Sequence, residues 1–67
     1  MHIALQQAVW LIGIEYGEKQ RAIHKKKKII IYGKALLDIA FLEAIELYED
    51  REDMSCFITG FVNGYLQ

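Results

Sequence analysis

Three side chains offer nitrogen or sulfur ligands to a metal: His2, His24 and Cys56. None is spaced with another as a zinc site requires. Glu43, Glu46 and Glu49 form an E-x-x-E series. Carboxylate-bridged metal bundles place a histidine three residues after the glutamate, and none follows here. "GIEYGEK", residues 13–19, has two glycines but not the spacing of a phosphate-binding loop. Cys56 stands near the start of a helical pattern and is read as a small apolar residue rather than a nucleophile. The residue types for catalysis are not assembled, so the chain is expected to be a non-enzyme without metal or cofactor.

Charge is the stronger signal. "HKKKKIIIYGK", residues 24–34, runs four lysines into three isoleucines. Seven of the eight basic residues fall within 19–34, and no acid interrupts them. Such a patch can neutralise phosphates and bind nucleic acid in a salt-sensitive way, with Arg21, Lys25, Lys26, Lys27 and Lys28 as the contacts. The formal net charge of −1 weighs against a dedicated nucleic-acid domain. So does the absence of a helix-turn-helix, zinc-finger or aromatic RNA platform. Residues 35–53 carry seven acids and one base, a balance of −6 against +7 in 19–34. A spaced acidic stripe of Glu43, Glu46, Asp50 and Asp53 would suit a basic groove on a partner protein. Opposite charges in one chain also suit antiparallel self-pairing.

The elements carrying these groups read as helices. There is no proline and no low-complexity linker. Leu5, Ala8, Val9, Ile12, Tyr16 and Ile23 recur at helical intervals, which predicts a first helix over about 2–23 with that stripe inward. Gly13 and Gly17 weaken a helix unless they serve close packing. A second helix over about 29–50 is expected to bury Leu36, Leu37, Ala40, Phe41, Ala44, Leu47 and Tyr48. Ile39, Leu42 and Ile45 fall in its polar sector, so it is apolar on two sides. A third helix over about 54–66, capped by Asp53 or Ser55, places Met54, Phe57, Ile58, Phe61 and Tyr65 on one face. Gly60 and Gly64 form either a packing notch or a helix end. Two other readings of 24–34 are weaker. A lone strand would need a copy of itself to pair with. One continuous helix through 5–48 would place Lys19, Lys26 and Gly33 on its apolar frame. The lysines are therefore read as a solvated connection.

The fold class expected is all-α: a single three-helix domain over 1–67, completed by oligomerisation. Sixty-seven residues bury a small core, and a single cysteine allows no internal disulfide, so a partner chain is the expected staple. Single-cysteine usage fits a reducing, cytoplasmic location. No run approaches the ~20 apolar residues of a membrane span, and the N-terminus lacks the pattern of a signal peptide. Ile3, Trp10, Ile14, Ile39, Leu42 and Ile45 are the candidate protein interface, since large exposed apolar groups mark binding surfaces.

"CFITGFVNGYLQ" resembles the F-x-x-G-F-x-x-G endings of small, uncharacterised helical proteins of low-GC Gram-positive bacteria and their mobile elements. Phe57, Gly60, Phe61 and Gly64 carry the likeness, over about a dozen residues. It implies a bacterial or phage setting and no activity. The expected function is a homodimeric protein–protein interaction module: an adaptor, or an inhibitor of a host defence or nucleic-acid enzyme. Nucleic-acid binding through 19–34 and a self-assembling structural module are the alternatives.

Overall fold

The computed structural model describes residues 2–67, with side chains from Gln6 onward. It has three helices: α1 (His2–Lys26), α2 (Lys34–Leu47) and α3 (Arg51–Leu66). No strand occurs among the described residues. The body is a rod of 40 × 17 × 17 Å, close to the ~37 Å length of a 25-residue helix. α1 and α3 share most of the contact, and α2 leans mainly on α3. Gln6 meets Glu52 at one end, and His24 meets Tyr65 at the other. α1 and α3 therefore run parallel, and α2 returns between their ends.

Glycines decide which faces meet. A Cβ added at Gly13 would crowd the Phe57 carbonyl, and one at Gly17 the Phe61 carbonyl. Reciprocally, a Cβ at Gly60 would crowd the Trp10 carbonyl, and one at Gly64 the Ile14 carbonyl. All four fall under the 3.0 Å that real Cβ atoms do not breach. Each helix thus sets a small-x-x-x-small notch against the other's backbone, the arrangement that permits the closest helix approach. Gly60 and Gly64 are packing notches, and α3 continues past them to Leu66.

This contact overrides the expected inner stripe of α1. Val9, Gly13, Gly17 and His24 are buried, whereas Ala8, Ile12 and Ile23 are exposed. The side chain of Leu5 lies outside the described residues. The face was chosen by how near two backbones can come, not by the size of its side chains. The expected face of α3 is present, with Phe57, Phe61 and Tyr65 buried and Met54 and Ile58 half-buried. Phe57 is the hub of the aromatic core: Tyr16, Tyr48 and Phe61 rings lie 5.4, 5.7 and 6.0 Å from it. α2 buries only Leu36, Ala40 and Ala44. Leu37, Phe41 and Leu47, expected inside, are exposed.

The helix ends also correct the expected boundaries. α1 runs on to Lys26, and Lys28 takes φ 60°. Ile29 N–H then donates to His24 O at 2.8 Å, and Lys28 N–H to Lys25 O at 3.1 Å. That pair of bonds is a Schellman stop with lysine where glycine is usual. Ile29–Tyr32 are not helical, as suits β-branched residues that lose side-chain freedom in a helix. α2 begins only after Gly33, whose φ of 67° with ψ of −141° needs a glycine. α3 is capped by Asp50 rather than Asp53 or Ser55. The Asp50 carboxylate accepts Glu52 N–H at 2.7 Å. Glu52 and Asp53 then fall in the first turn, where negative charge is favourable.

Two substitutions test this account by urea denaturation. Gly17→Ala is expected to cost about 3 kcal/mol or more, because the obstruction is backbone and cannot rotate away. Lys28→Gly is expected to stabilise by about 0.5–1 kcal/mol by relieving the left-handed residue. A neutral Gly17→Ala would contradict the close approach.

Candidate functional site

At the lower end of the rod the Tyr65 hydroxyl joins three segments. It accepts Ile31 N–H at 3.0 Å and lies 2.7 Å from His24 Nδ1. His24 Nε2 lies 3.0 Å from Gln20 Nε2. With the Gln20 amide as placed, Nδ1–H donates to the hydroxyl and Nε2 accepts; with the amide turned over, Tyr65 O–H donates to Nδ1 and Nε2–H donates to the amide oxygen, which also gives the phenol proton an acceptor. The Arg21 guanidinium lies 5.6 Å from the centre of the Tyr65 ring. His24 is buried, and no buried side-chain N or O among the described residues lacks a partner. A network that joins α1, α3 and the segment before α2 in this way is a fastening. Residue spacing carried a signal for it, since 9, 13, 17, 20 and 24 follow one helical face.

The lysines surround this fastening. Lys25–Lys28 and Lys34 are all exposed, while Arg21 is half-buried. They gather where α1 and α3 both end. Two parallel helices present two negative dipole ends there, and cations offset them. Glu46, Glu49 and Glu52 are exposed toward the opposite end. The opposite charges of the sequence thus become opposite poles of the rod. The expected acidic stripe is uneven: Glu43 and Asp53 are half-buried, Glu46 is exposed, and Asp50 is committed to its cap. Burial, the negative charge of Asp53 and the neighbouring Tyr16 raise the Tyr48 phenol above its ordinary 10.0. Stability contributed by neutral Tyr48 is therefore intact below pH 10 and lost as pH rises through its raised value.

The expected interface residues do not share one surface. Trp10 and Ile14 are half-buried beside α3, and Ile39 is half-buried against the core. Ile3 lies outside the described side chains. Leu42 and Ile45 stand exposed with Leu37 and Phe41, at 63%, 50%, 50% and 49% of full accessibility. Leu37, Phe41 and Ile45 follow at intervals of four and make one stripe, bordered by Leu42. Among the described residues this stripe is one apolar surface that the fold leaves unmatched, beside the exposed Ile29, Ile30 and Tyr32 of the connection and Leu66 at the end of α3. Phe41 also lines a shallow groove of about 230 Å³ with Arg51, Met54 and Ile58. A second groove of about 490 Å³ lies between α1 and α3, lined by Trp10, Cys56 and Thr59 among others. Its walls hold one half-buried thiol and no acid–base pair. Among the described residues no group of three potential metal ligands converges, and no helix is long and apolar enough to cross a membrane.

The molecule is thus an all-α three-helix domain. No family model matches the chain, and no curated protein or solved structure matches it significantly.

Tyr65→Phe removes the shared hydroxyl and leaves Ile31 N–H and the His24 ring without it. The expected cost is about 1–3 kcal/mol, read by urea denaturation. A loss well below that range would mean that the three segments are held by packing alone.

Proposed function

We propose that the chain is a non-catalytic protein–protein interaction module that binds through the outer face of α2. The carrying observation is the exposed stripe Leu37, Phe41, Leu42 and Ile45 on a helix that buries only three residues of its own. Fully burying a large apolar side chain contributes roughly 1.5–3 kcal/mol; these four are about half exposed, so covering them supplies about half of that from each. Glu46 beside the stripe gives it an acidic edge. That combination suits a protein surface with a basic rim and an apolar floor, the kind of contact an adaptor or an inhibitor makes. The likeness of the Phe57–Gly64 segment to small proteins of Gram-positive bacteria and their mobile elements supports a bacterial or phage setting. Within it, an inhibitor of a host defence or nucleic-acid enzyme fits the size and the lack of chemistry.

One observation favours a second reading. Lys25–Lys28 are all exposed at one pole, where they could engage phosphates. Retention on DNA or RNA at low salt, lost when Lys25–Lys28 become alanine, would move the function there.

The interaction reading is tested in cells by replacing Phe41 with a photo-reactive benzoyl-phenylalanine. Irradiation is expected to attach the chain to protein, giving discrete higher-mass bands. The same probe at the polar surface position Glu18 is expected to give none. Absence of any protein adduct from position 41 would overturn the reading.

A further inference from the structure

Resting on the reading of α2 as an interaction face, we infer that its occupant is a second copy of this chain, paired antiparallel. Three observations lead there. The first is area. The accessible surface is 5038 Å², whereas a compact monomer of this mass exposes about 4,400 Å². A rod of 40 × 17 × 17 Å exposes more than a compact body of its mass, and the α2 flank of that rod carries the exposed Leu37, Phe41, Leu42 and Ile45.

The second is the stripe itself. Lys34, Leu37, Phe41 and Ile45 lie along one side of α2 at steps of three and four. Phe41 and Leu42, the eighth and ninth residues of the fourteen-residue helix, lie next to its middle. A twofold axis there sets Phe41 against Leu42 of the second copy, and Leu37 near its Ile45 and Glu46. Such a contact is isologous: one patch is its own complement, and it closes at two.

The third is charge. The basic pole holds Lys25–Lys28 and Lys34, and the acidic pole holds Glu46, Glu49, Asp50, Glu52 and Asp53. Antiparallel pairing lays each basic pole beside the other copy's acidic pole, with Lys34 opposite Glu49. Parallel pairing would oppose like poles at both ends. The regional balances of +7 and −6 are nearly matched, so a second copy supplies the counter-charge almost completely. The charges select orientation, and the stripe supplies the adhesion. The mismatch at the ends of α2 is relieved too. Its N-terminus lies among lysines and its C-terminus among acids, each opposed by the helix dipole. The second copy brings acids to the first end and lysines to the second.

The test is the mass of the purified protein in solution, by sedimentation equilibrium, with two sets of variants. The wild type is expected at twice 7.8 kDa. Leu42→Asp with Ile45→Asp should give the single mass with unchanged helix content by circular dichroism. Lys27→Glu with Lys34→Glu makes one variant, and Glu46→Lys with Glu49→Lys another. Each alone is expected to associate about tenfold or more weakly than the wild type. Mixed, they should regain the dimer, because each altered pole then meets its altered complement. A wild type that stays monomeric would overturn the pairing, as would a monomer that gains mass only with DNA at low salt. A dimer indifferent to the apolar variants would do the same. Failure of the mixture to recover would overturn the antiparallel orientation. A monomer that still forms heterologous adducts from position 41 would sink only the choice of a second copy and leave the interaction reading standing.

Discussion

The contact on which the molecule depends is the meeting of two backbones. Gly13 and Gly17 on α1 and Gly60 and Gly64 on α3 remove side chains where the helices cross. Carbonyls of each helix come into that space, close enough for the weak Cα–H···O contacts that recur at such crossings. Everything nearby follows from this seat. Phe57, Phe61 and Tyr65 are carried into the interior because they flank the α3 notch. His24 is buried because it continues the glycine face of α1. Ile12 and Ile23 are left outside because they do not.

Parallel pairing of α1 and α3 then explains the charges. Two helix C-termini at one pole attract cations, and the capped N-terminus of α3 attracts acids at the other. α2 must connect the poles in reverse, so its ends inherit charges suited to its neighbours. It has no side-chain cap and few buried residues. It is tied at its start through Ile31 to the Tyr65 hydroxyl and at its finish through Tyr48 to Phe57. A helix held mainly at its ends, with an apolar outer face, is poised to be completed by another surface.

Much of this was legible in the residues. The absence of proline, the periodic apolar positions and the face of α3 specify three helices and the inner aromatic row. The charge balance specifies poles. The face of α1 was not legible from hydrophobic spacing, because glycine carries no hydropathy signal and its effect depends on a partner helix. The start of α2 is not legible, because the run Ile29–Tyr32 is apolar enough to be helical. Its non-helical form is held at Ile31 by a distant tyrosine at position 65. The cap at Asp50 is not legible either, because Asp50, Asp53 and Ser55 are all competent caps, and only the packing of α3 selects among them. The outer stripe of α2 is half legible: helical spacing leaves Leu42 and Ile45 as surplus, whereas it places Leu37 and Phe41 in the core, and both are exposed.

α1 and α3 form the stable unit, and α2 is a helix awaiting cover. Native-state hydrogen exchange at increasing protein concentration tests it most directly. In dilute protein the amides of α1 and α3 around the glycines should exchange only through global unfolding. Those of α2 should exchange faster and gain protection as concentration rises. Equal protection of all three helices at every concentration, or early opening between α1 and α3, would contradict the account.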